Sequence, residues 1–223
     1  MLPVPRLTLL DLDGTLVDSV PDLAASVNAM LAQLGRPVCT EDEIRCWVGN
    51  GVDRLLQRAL TGTLDGIPEA SLFARAKPVF ERVYSTINGR YSQLYPGVIE
   101  GLESLRQLGS TLACITNKPA LFTQPLLHTL GLSHFFSLTL SGDSLARKKP
   151  DPLPLLHAAS TFGVRPEQCL MIGDSRHDVD AARAAGIAVI AVSYGYNHGQ
   201  PIAQTRPDGI VDSLLELPRY FEV

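Results

Sequence analysis

A four-residue run, Leu7-Thr8-Leu9-Leu10, ends abruptly in Asp11-Leu12-Asp13-Gly14. A short apolar run closed by acids and a glycine predicts a buried strand entering a tight loop. From about residue 95 onward the alternation becomes regular. Helical spacing over Gly101–Leu108 stops at Gly109, and the apolar strand Leu112–Ile115 ends at Thr116-Asn117. A helix from Pro119 to Gly131, a weaker strand over Phe135–Leu140 and a helix over Pro152–Phe162 follow. The strand Leu170–Ile172 ends at Gly173-Asp174, a helix from His177 stops at Gly186, and Ile187–Val192 is a further strand. Short apolar strands alternating with helices predict βαβ units and a parallel sheet covered on both faces.

Residues 18–90 break that rhythm. Asp22–Leu34 reads as a helix after Pro21, and Thr40-Glu41-Asp42-Glu43 is a capping-box signature that opens another. Arg54–Leu60 and Ser71–Thr86 also carry helical apolar spacing, with Pro78 expected to kink or shift the latter. The predicted organisation is an α/β core over residues 1–17 and 91–223, with an α-helical cap inserted over 18–90.

Composition narrows the function. A chain of 223 residues, 45% hydrophobic and 19% charged, can bury a substantial core. Its net charge of −4 argues against non-specific nucleic-acid binding, which needs a basic surface. Cys39, Cys46, Cys114 and Cys169 lack zinc-ligand spacing and predict reduced thiols. No signal peptide and no apolar stretch near the ~20 residues that span a bilayer is visible. The expectation is a cytoplasmic protein, monomeric or homodimeric, without nucleic-acid or membrane partners.

In open α/β sheets, ligands bind beyond the carboxyl ends of the strands. Asp11 and Asp13 gather there, with Thr116-Asn117-Lys118, Lys148-Lys149-Pro150 and Gly173-Asp174-Ser175, followed by Asp178. Residues two apart on a strand share a face, and two anions so placed need a cation or a proton between them. Carboxylates for a hard cation, a hydroxyl and an ammonium are the combination phosphoryl transfer requires, because its transition state spreads negative charge over several oxygens.

The segments D-L-D-G-T, T-N-K-P, K-K-P-D-P and G-D-S-R-H-D resemble the haloacid dehalogenase superfamily of phosphatases. With W-V-G-N-G, R-A-L-T and Y-G-Y-N-H-G, the resemblance extends over residues 7–199 to the bacterial phosphoglycolate phosphatases. It implies a Rossmann-like core with a small helical cap, and hydrolysis of a small phosphorylated metabolite such as 2-phosphoglycolate. By the same resemblance, Asp11 would be the nucleophile that becomes an aspartyl phosphate, and Asp13 the acid and base. Thr116 and Lys149 would hold the phosphoryl oxygens. Mg²⁺ would be bound by the Asp11 side chain, the Asp13 main-chain carbonyl and Asp174, with Asp178 orienting a metal water or Lys149. Asn117 is expected to contact substrate, and so is Asn50, in a Gly49-Asn50-Gly51 loop facing the active site.

Other readings attach to the same residues. A related phosphatase acting on an amino-sugar phosphate or pyrophosphate, or a phosphomutase, would share this core. A dehalogenase needs no acid at Asp13, and a phosphonate hydrolase needs a cap lysine better placed than Lys77. A phospho-receiver module would lack the insertion and carry its acceptor on a later strand. Arg45, Arg54 and Arg58 flank the cap loop and are expected on helix surfaces. Lys148 and His177 are expected to be solvated, Asp18 to be a hinge or cap residue, and the five histidines to be scattered.

Overall fold

The computed structural model of the chain describes residues 1–222. In chain order, β1 (Leu2–Pro3), β2 (Leu7–Leu10) and β3 (Val17–Asp18) lead into α1 (Val20–Gln33), α2 (Glu41–Trp47), α3 (Val52–Thr61) and α4 (Ala70–Ile87). The chain then alternates: β4 (Gln93–Leu94), α5 (Val98–Gln107), β5 (Thr111–Ile115), α6 (Ala120–Thr129), β6 (Leu138–Leu140), α7 (Leu153–Thr161) and β7 (Cys169–Gly173). It closes with α8 (Arg176–Ala185), β8 (Ala188–Val192), β9 (Gly209–Val211) and β10 (Phe221–Glu222).

Six strands form one parallel sheet in the order β6-β5-β2-β7-β8-β9. Strand periodicity of two divides its side chains between two apolar layers. Leu7 and Leu9 join Ala113, Ile115 and Met171 on one face, while Leu10 joins Cys114, Ile172 and Ile190 on the other. Both layers are covered, as a parallel sheet requires. The order makes β2 central, between β5 and β7, so the loops after these three strands emerge side by side. The expected strand over Phe135–Leu140 is shorter than its apolar run. Ser133–Phe135 is a 3-10 turn, and only Leu138–Leu140 pairs, at the sheet edge with β5 as its neighbour.

The helices α1 to α4 enclose an apolar cluster of their own, from Val20 through Ile44 and Leu56 to Phe80 and Tyr84. Thr40 and Glu43 form the predicted capping box: Thr40 N donates to Glu43 Oε2 (2.8 Å) and Glu43 N to Thr40 Oγ1 (3.2 Å). Pro78 does not interrupt α4, which runs unbroken from Ala70 to Ile87. The carbonyl that Pro78 cannot serve is four residues back, at exposed Ala74, where water can replace the missing donor. Meanwhile Ala76, Phe80 and Tyr84 keep one buried stripe continuous across it. Among the described residues, no helix is long and apolar enough to cross a membrane, and all four cysteines are unpaired.

The chain leaves and re-enters the α/β layer through one paired crossing. β3 and β4 run antiparallel, Val17 opposite Leu94 and Asp18 opposite Gln93. Buried Asp22, in the first turn of α1, locks the crossing. Its carboxylate accepts from Gly89 N (2.7 Å), Tyr91 N (2.8 Å), Ser92 N (3.2 Å) and Ser92 Oγ (2.5 Å). Replacing Asp22 by Ala strands the two buried donors of Ser92, at ~1–3 kcal/mol each, together with the part-buried N–H groups of Gly89 and Tyr91. The substitution is expected to lower unfolding free energy by about 3 kcal/mol or more in urea titration. A loss below about 1 kcal/mol would show that the crossing does not depend on Asp22.

Candidate active site

Because β5, β2 and β7 are neighbours, Thr116, Asp11 and Asp174 meet at their carboxyl ends. Asp11 follows β2 directly, its Oδ1 accepting from Leu12 N at 2.8 Å. Lys149, from the loop before α7, reaches under it. The Lys149 Nζ lies 2.9 Å from Asp11 Oδ1, 2.7 Å from Asp178 Oδ1 and 2.6 Å from the Ile115 carbonyl oxygen. Burial works against charge on Lys149, but Asp11 and Asp178 outweigh it and hold the ammonium above its ordinary range. Asp178 caps α8 with its other oxygen, which accepts from Ser175 N (3.0 Å) and Ser175 Oγ (2.7 Å). With both oxygens engaged, Asp178 supports Lys149 and the turn after β7.

Asp174 is gripped differently. Its Oδ1 accepts from Thr15 Oγ1 (3.1 Å) and its Oδ2 from Tyr196 N (2.8 Å). The backbone at Gly14, whose φ is +88°, and at Gly195 passes so close to this carboxylate that a Cβ at either position would collide with it. Among the described residues Asp174 has no cationic partner, although it is buried. One oxygen each from Asp11, Asp174 and Asp178 lies within 4.8 Å of the others. Like charges at that separation repel by roughly 3 kcal/mol at an effective dielectric of about 20. Burial, opposed by Lys149 and reinforced by Asp178, pushes the Asp11 carboxyl up to about 7. Burial, then Asp178 and Asp11, push Asp174 well above the usual carboxylate range. Buried carboxylates short of positive charge fit a hard divalent cation, which takes oxygen ligands.

Asp13 turns the other way. Its carboxylate receives Lys118 Nζ at 3.1 Å, and Lys118 Nζ also meets Tyr84 Oη of α4 at 2.5 Å. Any share of Asp13 in a metal site therefore falls to its main-chain carbonyl, as the resemblance implies. Asp11, Asp13, Thr116 and Lys118 floor a small cavity. Leu23, Val48, Val52 and Leu55 roof it from the helical segment, together with Gly49 and Gly51.

Several expectations change here. Asn50 does not face the cavity that its flanking glycines line. Its Oδ1 accepts from Arg58 Nη2 (2.8 Å), which leaves its Nδ2 to pair with His177 Nε2 (2.6 Å). Asn117 spends its amide N–H groups on Gly49 O (3.1 Å) and Lys149 O (3.0 Å), so its side chain keeps no donor for a substrate. Lys148, though exposed, donates to Asn50 O (2.8 Å) and so pins the loop before α3. His177 is half-buried beside His198, their Nε2 atoms 3.5 Å apart, and burial lowers it to about 4. Arg58 is buried, holding Trp47 O and Leu64 O, while Arg45 pairs with Asp18 and Glu41, and Arg54 with Asp65. None of the three arginines lines the cavity. Asp18 also accepts from Tyr196 Oη (2.8 Å), joining β3 to the loop after β8. The sequence places Lys118 at the strand end with Thr116-Asn117 but assigns it no role of its own, and it gives no signal for Tyr84.

The haloacid dehalogenase-like hydrolase family model matches residues 8–192. The chain belongs to the haloacid dehalogenase-like hydrolases. It is 51% identical over 217 residues to a phosphoglycolate phosphatase from Nitrosococcus oceani, covering 97% of this chain and 96% of that protein. A phosphoglycolate phosphatase from Thiobacillus denitrificans is 47% identical, with 96% and 95% covered. The crystal structure of a predicted phosphoglycolate phosphatase from Haemophilus somnus superposes with a TM-score of 0.92 at 40% identity, covering 99% of both chains. The chain is accordingly an enzyme, a haloacid dehalogenase-like phosphatase. The parallel sheet with helices on both faces is this family's α/β architecture, as expected from the strand and helix pattern.

The raised proton affinity of Asp11 has a thermodynamic consequence in this phosphatase. Between its ordinary 3.8 and about 7, the metal-free fold holds a proton that the unfolded chain releases. That contribution to stability is complete below the ordinary value and is lost as pH rises through about 7. Asp174 acts in the same direction. Excess Mg²⁺, which takes the proton's place, is expected to raise the Tm more at about pH 7.5 than at about pH 5. In Asp174→Asn this growth with pH should shrink. A Mg²⁺ effect on Tm that is equal at both values, or absent, would contradict a carboxylate-based cation site.

Proposed function

We propose that the protein hydrolyses 2-phosphoglycolate to glycolate and phosphate, with Mg²⁺ as cofactor and an aspartyl phosphate as intermediate. Residues 18–90 act as the cap over the reacting groups, and residues 1–17 and 91–223 supply those groups. The observation that carries this reading is the convergence of Asp11, Thr116 and Asp174 at the ends of three adjacent strands, with Lys149 beneath and Asp13 alongside. The naming of close relatives as phosphoglycolate phosphatases supports the substrate.

Asp11 Oδ attacks phosphorus, forming the acyl phosphate bond as the bond from phosphorus to the ester oxygen breaks. Asp13 gives a proton to the departing alkoxide, so glycolate leaves with its hydroxyl intact. Water then attacks the same phosphorus, Asp13 takes back a proton, and the bond to Asp11 breaks to release phosphate. Lys149 and the Thr116 hydroxyl hold phosphoryl oxygens as charge accumulates on them. Asp11, Asp174 and the Asp13 carbonyl would hold Mg²⁺, which when bound supplies charge neutralisation between carboxylate and phosphate. Asp178 keeps Lys149 in position. The small roofed cavity suits a two-carbon acid better than a hexose phosphate.

Phosphate release with Mg²⁺ should be fastest, by kcat/KM, for 2-phosphoglycolate in a panel that includes pyrophosphate, hexose phosphates and an amino-sugar 6-phosphate. Equal rates across the panel would overturn the substrate, and an isomer in place of free phosphate would indicate a mutase. Asp11→Asn should lose turnover by a factor on the order of 10⁴ or more with its fold unchanged by circular dichroism. Retained activity would remove Asp11 as nucleophile.

A further inference from the structure

Lys118 is the one cationic side chain among the described residues lining the cavity, and no role in the chemistry above uses it. It is fully enclosed: 4% of the residue is exposed, so its ammonium cannot be a solvated surface charge. An ammonium carries three donors. Asp13 takes one, with its oxygens at 3.1 and 3.4 Å, and Tyr84 Oη takes a second at 2.5 Å. The Tyr84 ring, whose hydroxyl meets the ammonium, tilts against Phe122 of α6 with centroids 4.7 Å apart. The third donor has no protein partner, and Lys118 and Asp13 both line the cavity.

This placement is measured from the leaving oxygen. Asp13 must come within about 2.7 Å of that oxygen to protonate it, and Lys118 Nζ is 3.1 Å from Asp13. A group one or two bonds beyond the leaving oxygen can therefore come within reach of Nζ. Burying an anion there without a counter-charge is costly, and the remaining walls nearby are apolar: Leu23, Val48, Val52 and Leu55. The arginines that could have served are committed elsewhere, Arg58 to Asn50 and Trp47, Arg45 to Asp18.

We infer that Lys118 is a specificity-determining residue: it receives a carboxylate carried next to the ester oxygen of the substrate, while its bond to Asp13 ties recognition of that carboxylate to the acid. The inference deepens the 2-phosphoglycolate reading and rests on it for the choice of substrate. Tyr84, from the inserted helices, fixes the ammonium and so gives the cap a part in selectivity beyond the apolar roof it supplies.

The test compares Lys118→Met with wild type on 2-phosphoglycolate, 3-phosphoglycerate, phosphoserine and the carboxylate-free analogue ethyl phosphate. Loss of Asp13's partner lowers kcat on every ester. The specific readout is the ratio of kcat/KM for carboxylate-bearing esters over ethyl phosphate, expected to fall by about a hundredfold, with KM for the acids rising most. Lys118→Gln, which keeps a donor without the charge, should lose the same preference and serves if Lys118→Met does not fold. An unchanged ratio in folded variants overturns the inference and leaves the 2-phosphoglycolate reading intact. A wild-type enzyme that prefers a different carboxylate ester, with that preference erased by the variants, overturns the substrate and supports Lys118.

Discussion

Four carboxylates and two lysines meet at one end of the sheet, and the arithmetic does not balance. Lys149 serves Asp11 and Asp178, Lys118 serves Asp13, and Asp174 has only neutral donors, Thr15 Oγ1 and Tyr196 N. Burial makes the deficit expensive. The protein can relieve it with a proton, which is why Asp11 and Asp174 have raised proton affinities, or with a divalent cation and a phosphate. The same excess of negative charge suits a divalent cation and, through it, a phosphate.

Everything else in the fold serves to hold that deficit in place. The order β5-β2-β7 brings Thr116, Asp11 and Asp174 together without any long loop. Gly14 and Gly195 allow the backbone to press against Asp174, where any side chain would clash. The inserted helices are fastened at the crossing by Asp22 and to the site by Lys118–Tyr84 and Lys148–Asn50. The last two fastenings involve polar groups of the strand-end loops, so the helical segment is tied to the candidate site as well as to the core.

The strand ends were legible from local pattern alone. A run such as Leu7–Leu10 closing on Asp11, or Leu170–Ile172 closing on Gly173-Asp174, states both the strand and the position of its polar terminus. The capping box at Thr40 and Glu43 was readable for the same reason, since its two partners are three residues apart. What escaped the sequence depends on distant pairing. Lys118 acquires its meaning from Asp13, 105 residues away, and Asn50 is turned from the cavity by His177, 127 residues away. Arg58 looked like a surface residue because helical spacing alone does not show that Trp47, Leu64 and Asn50 will surround it. Pro78 leaves α4 unbroken because water reaches Ala74, and exposure is a property of packing.

The central claim is that Asp11, alone among the clustered carboxylates, takes the phosphoryl group. Rapid acid quenching during turnover of 2-phosphoglycolate with Mg²⁺, followed by peptide mapping in a mass spectrometer, tests it directly. A phosphorylated peptide spanning Leu7–Leu16 is expected, with the modification on Asp11 and absent in Asp11→Asn. Steady turnover with no phosphopeptide at any quench time, or with phosphate on Asp13, Asp174 or Asp178, would contradict it.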